Sequence, residues 1–145
     1  MTSTPYSPTT GIRNWPAYAV GSSGIAAILS ALANYTDVFG PTEEGPSDPV
    51  WQWLLLIGVS VAIGVGVFAT VVRTATPSNA DRRGLAIAVV SIPTVVAFWS
   101  GLPVILAAAA ACLALASGRP SRLGVVTLVI AAAVVGLTAW GCLAG

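Results

Sequence analysis

The stretch FWSGLP, Phe98 to Pro103, decides the fold, because it lies inside an apolar run that extends from residue 84 to residue 117. A straight helix over that run would be about 51 Å long at 1.5 Å per residue. The hydrocarbon core of a bilayer is about 30 Å thick, and ordinary tilt does not absorb the difference. Splitting the run at Ser100-Gly101-Leu102-Pro103 leaves two halves, 84–99 and 103–117, each about 23 Å long. Gly101 accepts a positive φ at a helix C-terminus, and Pro103 suits the first turn of a following helix. The stretch therefore reads as a turn between two helices. Pro93 lies within the first of them and is expected to kink it.

Charge placement supports the turn. With a hairpin at 98–103 the chain crosses five times, over about 15–35, 51–72, 84–99, 103–117 and 123–143. Arg13, Arg73, Arg82, Arg83, Arg119 and Arg122, which are all the basic residues of the chain, then fall on one side. The acidic connector 36–50, with Asp37, Glu43, Glu44 and Asp48, falls on the other. A single kinked helix would put Arg119 and Arg122 opposite Arg73, Arg82 and Arg83, against the rule that basic residues stay cytoplasmic. The expected topology has a cytoplasmic N-terminus and an extracytoplasmic C-terminus. Tyr35, Trp51, Trp53, Trp99 and Trp140 then share the outer interface, where aromatic side chains collect.

Composition agrees with a membrane class. Of 145 residues, 56% are hydrophobic and 8% charged, against about a quarter charged in soluble domains. No segments of alternating hydrophobicity suggest a barrel. The expectation is an all-α, polytopic helical bundle. A net charge of +1 gives no reason to expect nucleic acid as a partner. The bias toward Arg, Ala, Val and Gly is that of a GC-rich genome, which makes a bacterial inner membrane the expected location.

Residues 1–14 read as a disordered cytoplasmic tail, rich in Ser, Thr and Pro. Residues 15–145 form the bundle. Ser78, Asn79 and Asp81 are candidate caps for the third helix. Ala31-Leu32-Ala33 resembles a signal-peptide cleavage site; cleavage after Ala33 would leave four spans.

Chemistry is expected to be absent. No His or Lys occurs, and every Asp, Glu and Arg is placed in a tail or connector, so neither a hydrolytic base nor a proton relay is available. Cys112 and Cys142 lie in apolar segments and read as small hydrophobes. No cofactor or metal is expected. Glu43, Glu44 and Asp48 match no calcium loop and read as a solvated segment. Asn34-Tyr35-Thr36 fits the glycosylation pattern at the membrane edge. Ser60 with Gly64, Ala62 with Gly66, and Ala132 with Gly136 are small residues four apart, the spacing that lets helices approach closely. They serve either packing inside the bundle or a seam for a partner. The alanine run before Cys112 makes the fourth helix slim.

Three segments, RRGLAIAVV, GLPVILAAAAACLALASG and RLGVVTLVIAAAVVGL, give an apolar helix, a Gly/Pro turn, an Ala/Leu helix, a short basic connector and another apolar helix. In this order the region from Arg83 onward resembles a paired-helix module of unknown function in small actinobacterial membrane proteins. In that family the connector carries a basic residue with Gly, as Gly118, Arg119 and Arg122 do here. The resemblance implies no activity.

The functional expectation is a non-catalytic accessory or assembly subunit of a cell-envelope complex, in contact with the lipid bilayer and with a membrane-protein partner or further copies of itself. The alternative is a small transporter or channel subunit acting as a homo-oligomer. In that case Ser60, Thr70, Thr94 and Thr127 would line one cavity rather than bond to their own helices.

Overall fold

The structure is a computed structural model that describes residues 12–35, 50–118 and 121–144. Five helices follow one another: α1 Trp15–Tyr35, α2 Val50–Val67, α3 Ala80–Thr94, α4 Leu102–Ala116 and α5 Arg122–Ala144. A π-helical turn, Phe68–Val72, extends α2, and 3-10 turns, Val95–Ser100, extend α3. Helices are the natural result of apolar sequence in lipid, since each satisfies its backbone polar groups internally. Four of them are long and apolar enough to cross a membrane: Trp15–Tyr35, Val50–Val72, Ala80–Ser100 and Arg122–Leu143. The chain is a helical-bundle membrane protein.

Residues 98–103 form a turn. Gly101 is left-handed (φ 73°, ψ −9°) and Pro103 lies in the first turn of α4. A helix ending here leaves carbonyls without intrahelical donors; two are taken up within the turn and one by α1. Ser100 Oγ donates to the Ala97 carbonyl (2.7 Å), Gly101 N–H to that of Phe98 (3.3 Å) and Ser30 Oγ of α1 to that of Trp99. Pro93 lacks an N–H, and just past it the α-helix gives way to 3-10 turns, with Ala97 off the helical path (φ −103°, ψ 48°).

The helices alternate in direction. Asp81 at the start of α3 meets Ser121 before α5, and Phe98 at the end of α3 meets Gly141 near the end of α5. α4 runs back between them, from the turn to Ala114 beside Gly124. Ser30 of α1 and Trp53 of α2 join Trp99 at the end that holds the turn, while the π turn of α2 reaches Arg83 at the other. The two ends of the chain's helical part thus lie at opposite ends of the bundle. The turn is sunk below the tips of α1 and α2. α1 continues nine residues past Ala26, which touches Gly101, and α2 starts seven residues before Ile57, which touches it too. That is about 13 Å and 10 Å of helix respectively. A recessed turn explains how α4, with 15 residues and about 22 Å, still reaches the far end.

α4 is the central helix. Pro103 to Ala107, Ala109, Ala110, Leu113 and Ala114 are all buried. Val104, Ile105, Ala109 and Leu113 join a core with Ala19 and Ala26 of α1 and Phe68 and Val72 of α2. Ala107 joins a second core with Ala131 and Val134 of α5. The buried faces of its neighbours are built from small residues: Ala19, Ser22, Ala26 and Ser30 in α1, and Ala80, Gly84, Ala88 and Ser91 in α3. Large apolar side chains point outward, among them Val20, Ile28, Val90 and Val96. This is the arrangement expected where lipid is as apolar as the core and packing alone selects the contact face. On α2 the buried positions Ile57, Ser60, Gly64, Phe68 and Val72 drift past the α-helical repeat. The π turn, in which Arg73 N–H bonds the Phe68 carbonyl (2.9 Å), corrects that drift.

One expectation needs correction. α3 starts at Ala80 and α5 at Arg122, so Asp81, Arg82, Arg83 and Arg122 belong to first helical turns, not to connectors. A first turn still reaches the water-accessible layer, which is why these charges are compatible with helices that cross a membrane.

Candidate functional site

Two polar clusters mark the ends of the bundle. At the end that carries the turn, Ser30 is fully buried. Its hydroxyl accepts from Trp53 Nε1 (2.9 Å) and donates to the Trp99 carbonyl, so one side chain ties α1, α2 and α3 together. Asn34 Nδ2 donates to the Ser30 carbonyl (2.7 Å), and the rings of Tyr35 and Trp53 meet edge to face at 5.8 Å. Cys142 Sγ lies 3.9 Å from the Phe98 carbonyl.

At the opposite end, Ser121 accepts the Gly124 N–H (2.9 Å) and so caps α5. The same hydroxyl donates to Asp81 Oδ2 at 2.5 Å, joining the first turns of α3 and α5. Asp81 Oδ1 is buried against Gly124 and has no hydrogen-bond partner; the buried Thr138 hydroxyl on α5 has none either. Arg83 Nη1 donates to the Val71 carbonyl (3.2 Å) and to Thr74 Oγ1 (2.8 Å). Arg83 thereby closes the C-terminal end of α2, where carbonyls are left over and a cation is favoured. Of the three cap candidates for α3, Asn79 holds the position, but its Oδ1 accepts from Thr76 N–H (2.9 Å) instead of capping the helix.

The residues singled out from the sequence are divided by the structure. Ser60 and Gly64 are buried, with Gly64 against Ile105 of α4. Ala62, Gly66, Ala132 and Gly136 face outward, and a Cβ on Gly66 or Gly136 would meet nothing. Arg13, Arg73, Arg82 and Arg122 are exposed at the Asp81 end. Arg119, Asp37, Glu43, Glu44 and Asp48 lie outside the described residues. Ser30, Ser121, the bond from Ser121 to Asp81 and the close packing of Gly84 and Gly141 are not marked in the sequence. The small-residue spacing in α1 and α3 was the available signal for the contact faces.

Three of the four hydroxyl residues that would distinguish a pore bond within their own helices. Thr70 donates to the Gly66 carbonyl (2.7 Å), Thr94 to that of Ser91 (2.6 Å) and Thr127 to that of Leu123 (2.8 Å). Among the described residues, no three His, Cys, Asp or Glu side chains come together as a metal site would require. In comparisons with known families, curated proteins and solved structures, the chain matches none.

Proposed function

We propose that this membrane protein is non-catalytic and serves as an accessory or assembly subunit of a bacterial cell-envelope complex. The observation that supports this reading is the use made of its polar side chains. Thr70, Thr94 and Thr127 are bonded to their own helices, and the centre of the bundle is filled by the Ala- and Leu-rich α4. A transporter needs polar groups, most often ionisable ones, that face a path at mid-membrane depth. Here the charged residues of the described helices sit in first turns.

The proposed orientation puts the arginine-bearing end in the cytoplasm. In this reading, a tagged chain extracted in mild detergent brings at least one other membrane protein with it in fixed ratio. Purified chain in proteoliposomes carries no proton flux into a pH-sensitive dye. A chain that purifies alone and conducts protons would overturn the reading.

A further inference from the structure

We infer that the arginine-bearing end of the bundle is a docking surface for anionic phospholipid headgroups. Each of the four helices that surround α4 brings an exposed arginine to this end: Arg13 just before α1, Arg73 after α2, Arg82 on α3 and Arg122 on α5. Arg83 is the exception, being only partly exposed, with its Nη1 bonded to the Val71 carbonyl and Thr74. The one carboxylate among the described residues, Asp81, is held by Ser121 and pressed against Gly124, so it is turned into the bundle and away from the rim.

Position selects the partner. The exposed arginines come from four separate helices that each pack against α4, which suits several phosphates in a leaflet better than one compact anion. They also emerge where lipid-facing side chains begin. Arg122 is followed by exposed Leu123, Val125 and Val126, and Arg13 is followed by the half-exposed ring of Tyr18. Acyl chains along these outer faces would bring their headgroups level with the guanidinium groups. Arginine presents a planar fork that matches phosphate oxygens. Each basic residue near an anionic surface adds about fivefold to the partition.

The test uses purified full-length protein in neutral detergent. It is titrated with phosphatidylglycerol, phosphatidylcholine or inorganic phosphate, with retained lipid counted by native mass spectrometry. We expect phosphatidylglycerol to be retained in preference to phosphatidylcholine, and the preference to weaken as salt rises. The variant R73Q/R82Q/R122Q should lose the preference, by a factor on the order of a hundred if the three contributions multiply. R73K/R82K/R122K should keep most of it, which separates lost charge from lost folding. Equal retention of the two lipids, or an unchanged preference in the glutamine variant, would overturn the inference. So would loss of preference in the lysine variant, or competition by inorganic phosphate at concentrations comparable to the lipid.

Discussion

Gly64 of α2 lies directly against Ile105 of α4: a methyl group built on Gly64 would fall well inside the 3.0 Å that real Cβ atoms keep from their neighbours. The atom it meets, Ile105 Cγ2, belongs to a fully buried β-branched side chain whose χ1 has little freedom to move. Two residues further along, Gly66 faces open space. Gly64→Ala should therefore destabilise the bundle by about 1–3 kcal/mol through overpacking. Gly66→Ala should be neutral, or stabilising by about 0.5–1 kcal/mol, because alanine favours the helix. Thermal unfolding in detergent of the two variants side by side checks this; equal effects would contradict the assigned faces.

Gly101 is held by conformation and by space at once. Its φ of 73° disfavours any side chain, and a Cβ would touch Ala26 of α1 at 3.0 Å. The left-handed conformation alone costs about 1–2 kcal/mol for alanine. Gly101→Ala should lower the unfolding midpoint more than Gly118→Ala, because Gly118, with φ 67°, meets no neighbour. The difference between the two variants isolates the packing of the turn against α1.

Ser30→Ala removes a hydroxyl that serves two partners, Trp53 Nε1 and the Trp99 carbonyl. Hydrogen bonds between membrane helices average about 0.6 kcal/mol and reach about 1.7. The loss should fall toward the upper value, because both partners are left without Ser30. Tryptophan emission should shift as the Trp53 indole loses its bond. Ser22→Ala provides the comparison, since the Ser22 hydroxyl bonds only within α1, to the Ala19 carbonyl (3.1 Å). It should leave both the emission and the midpoint nearly unchanged.

The alternating helix directions put the start of α1 and the end of α5 at opposite ends of the bundle. With the arginines cytoplasmic, alkaline phosphatase fused after Gly145 should be active and a fluorescent protein at the same place dark. The reverse result would mean that the bundle is inverted, or that residues 84–117 cross once.

Cys142 lies beside Phe98 at the end that carries the turn, whereas Cys112 lies in the last turn or so of α4, near the opposite end; both thiols are free. Bridging them would need Cα atoms within about 7 Å. Non-reducing mass spectrometry should find no intramolecular disulfide after mild oxidation.

The turn at FWSGLP, the helix count and the shared end of Arg13, Arg73, Arg82 and Arg122 were legible because each depends on local properties. Apolar length sets how often a chain can cross, Gly and Pro set where it reverses, and charge sets which ends stay wet. The third helix begins at Ala80 and not at residue 84 because a first turn tolerates Asp81, Arg82 and Arg83 at the membrane edge, which hydropathy alone does not register. What only the tertiary structure decided is which face of each helix turns inward. Ser60-x-x-x-Gly64 and Ala62-x-x-x-Gly66 carry the same small-residue signal, yet the first pair is buried and the second exposed. α4 differs, since the alanine run before Cys112 already marked it as a slim helix suited to close packing, and it occupies the centre. In water, burial follows hydrophobicity. In lipid the surroundings are as apolar as the core, so the choice passes to the fit of one helix surface against another. The pairing of Ser30 with Trp53 and of Asp81 with Ser121 depends on that fit, because it joins residues 23 and 40 positions apart in the chain.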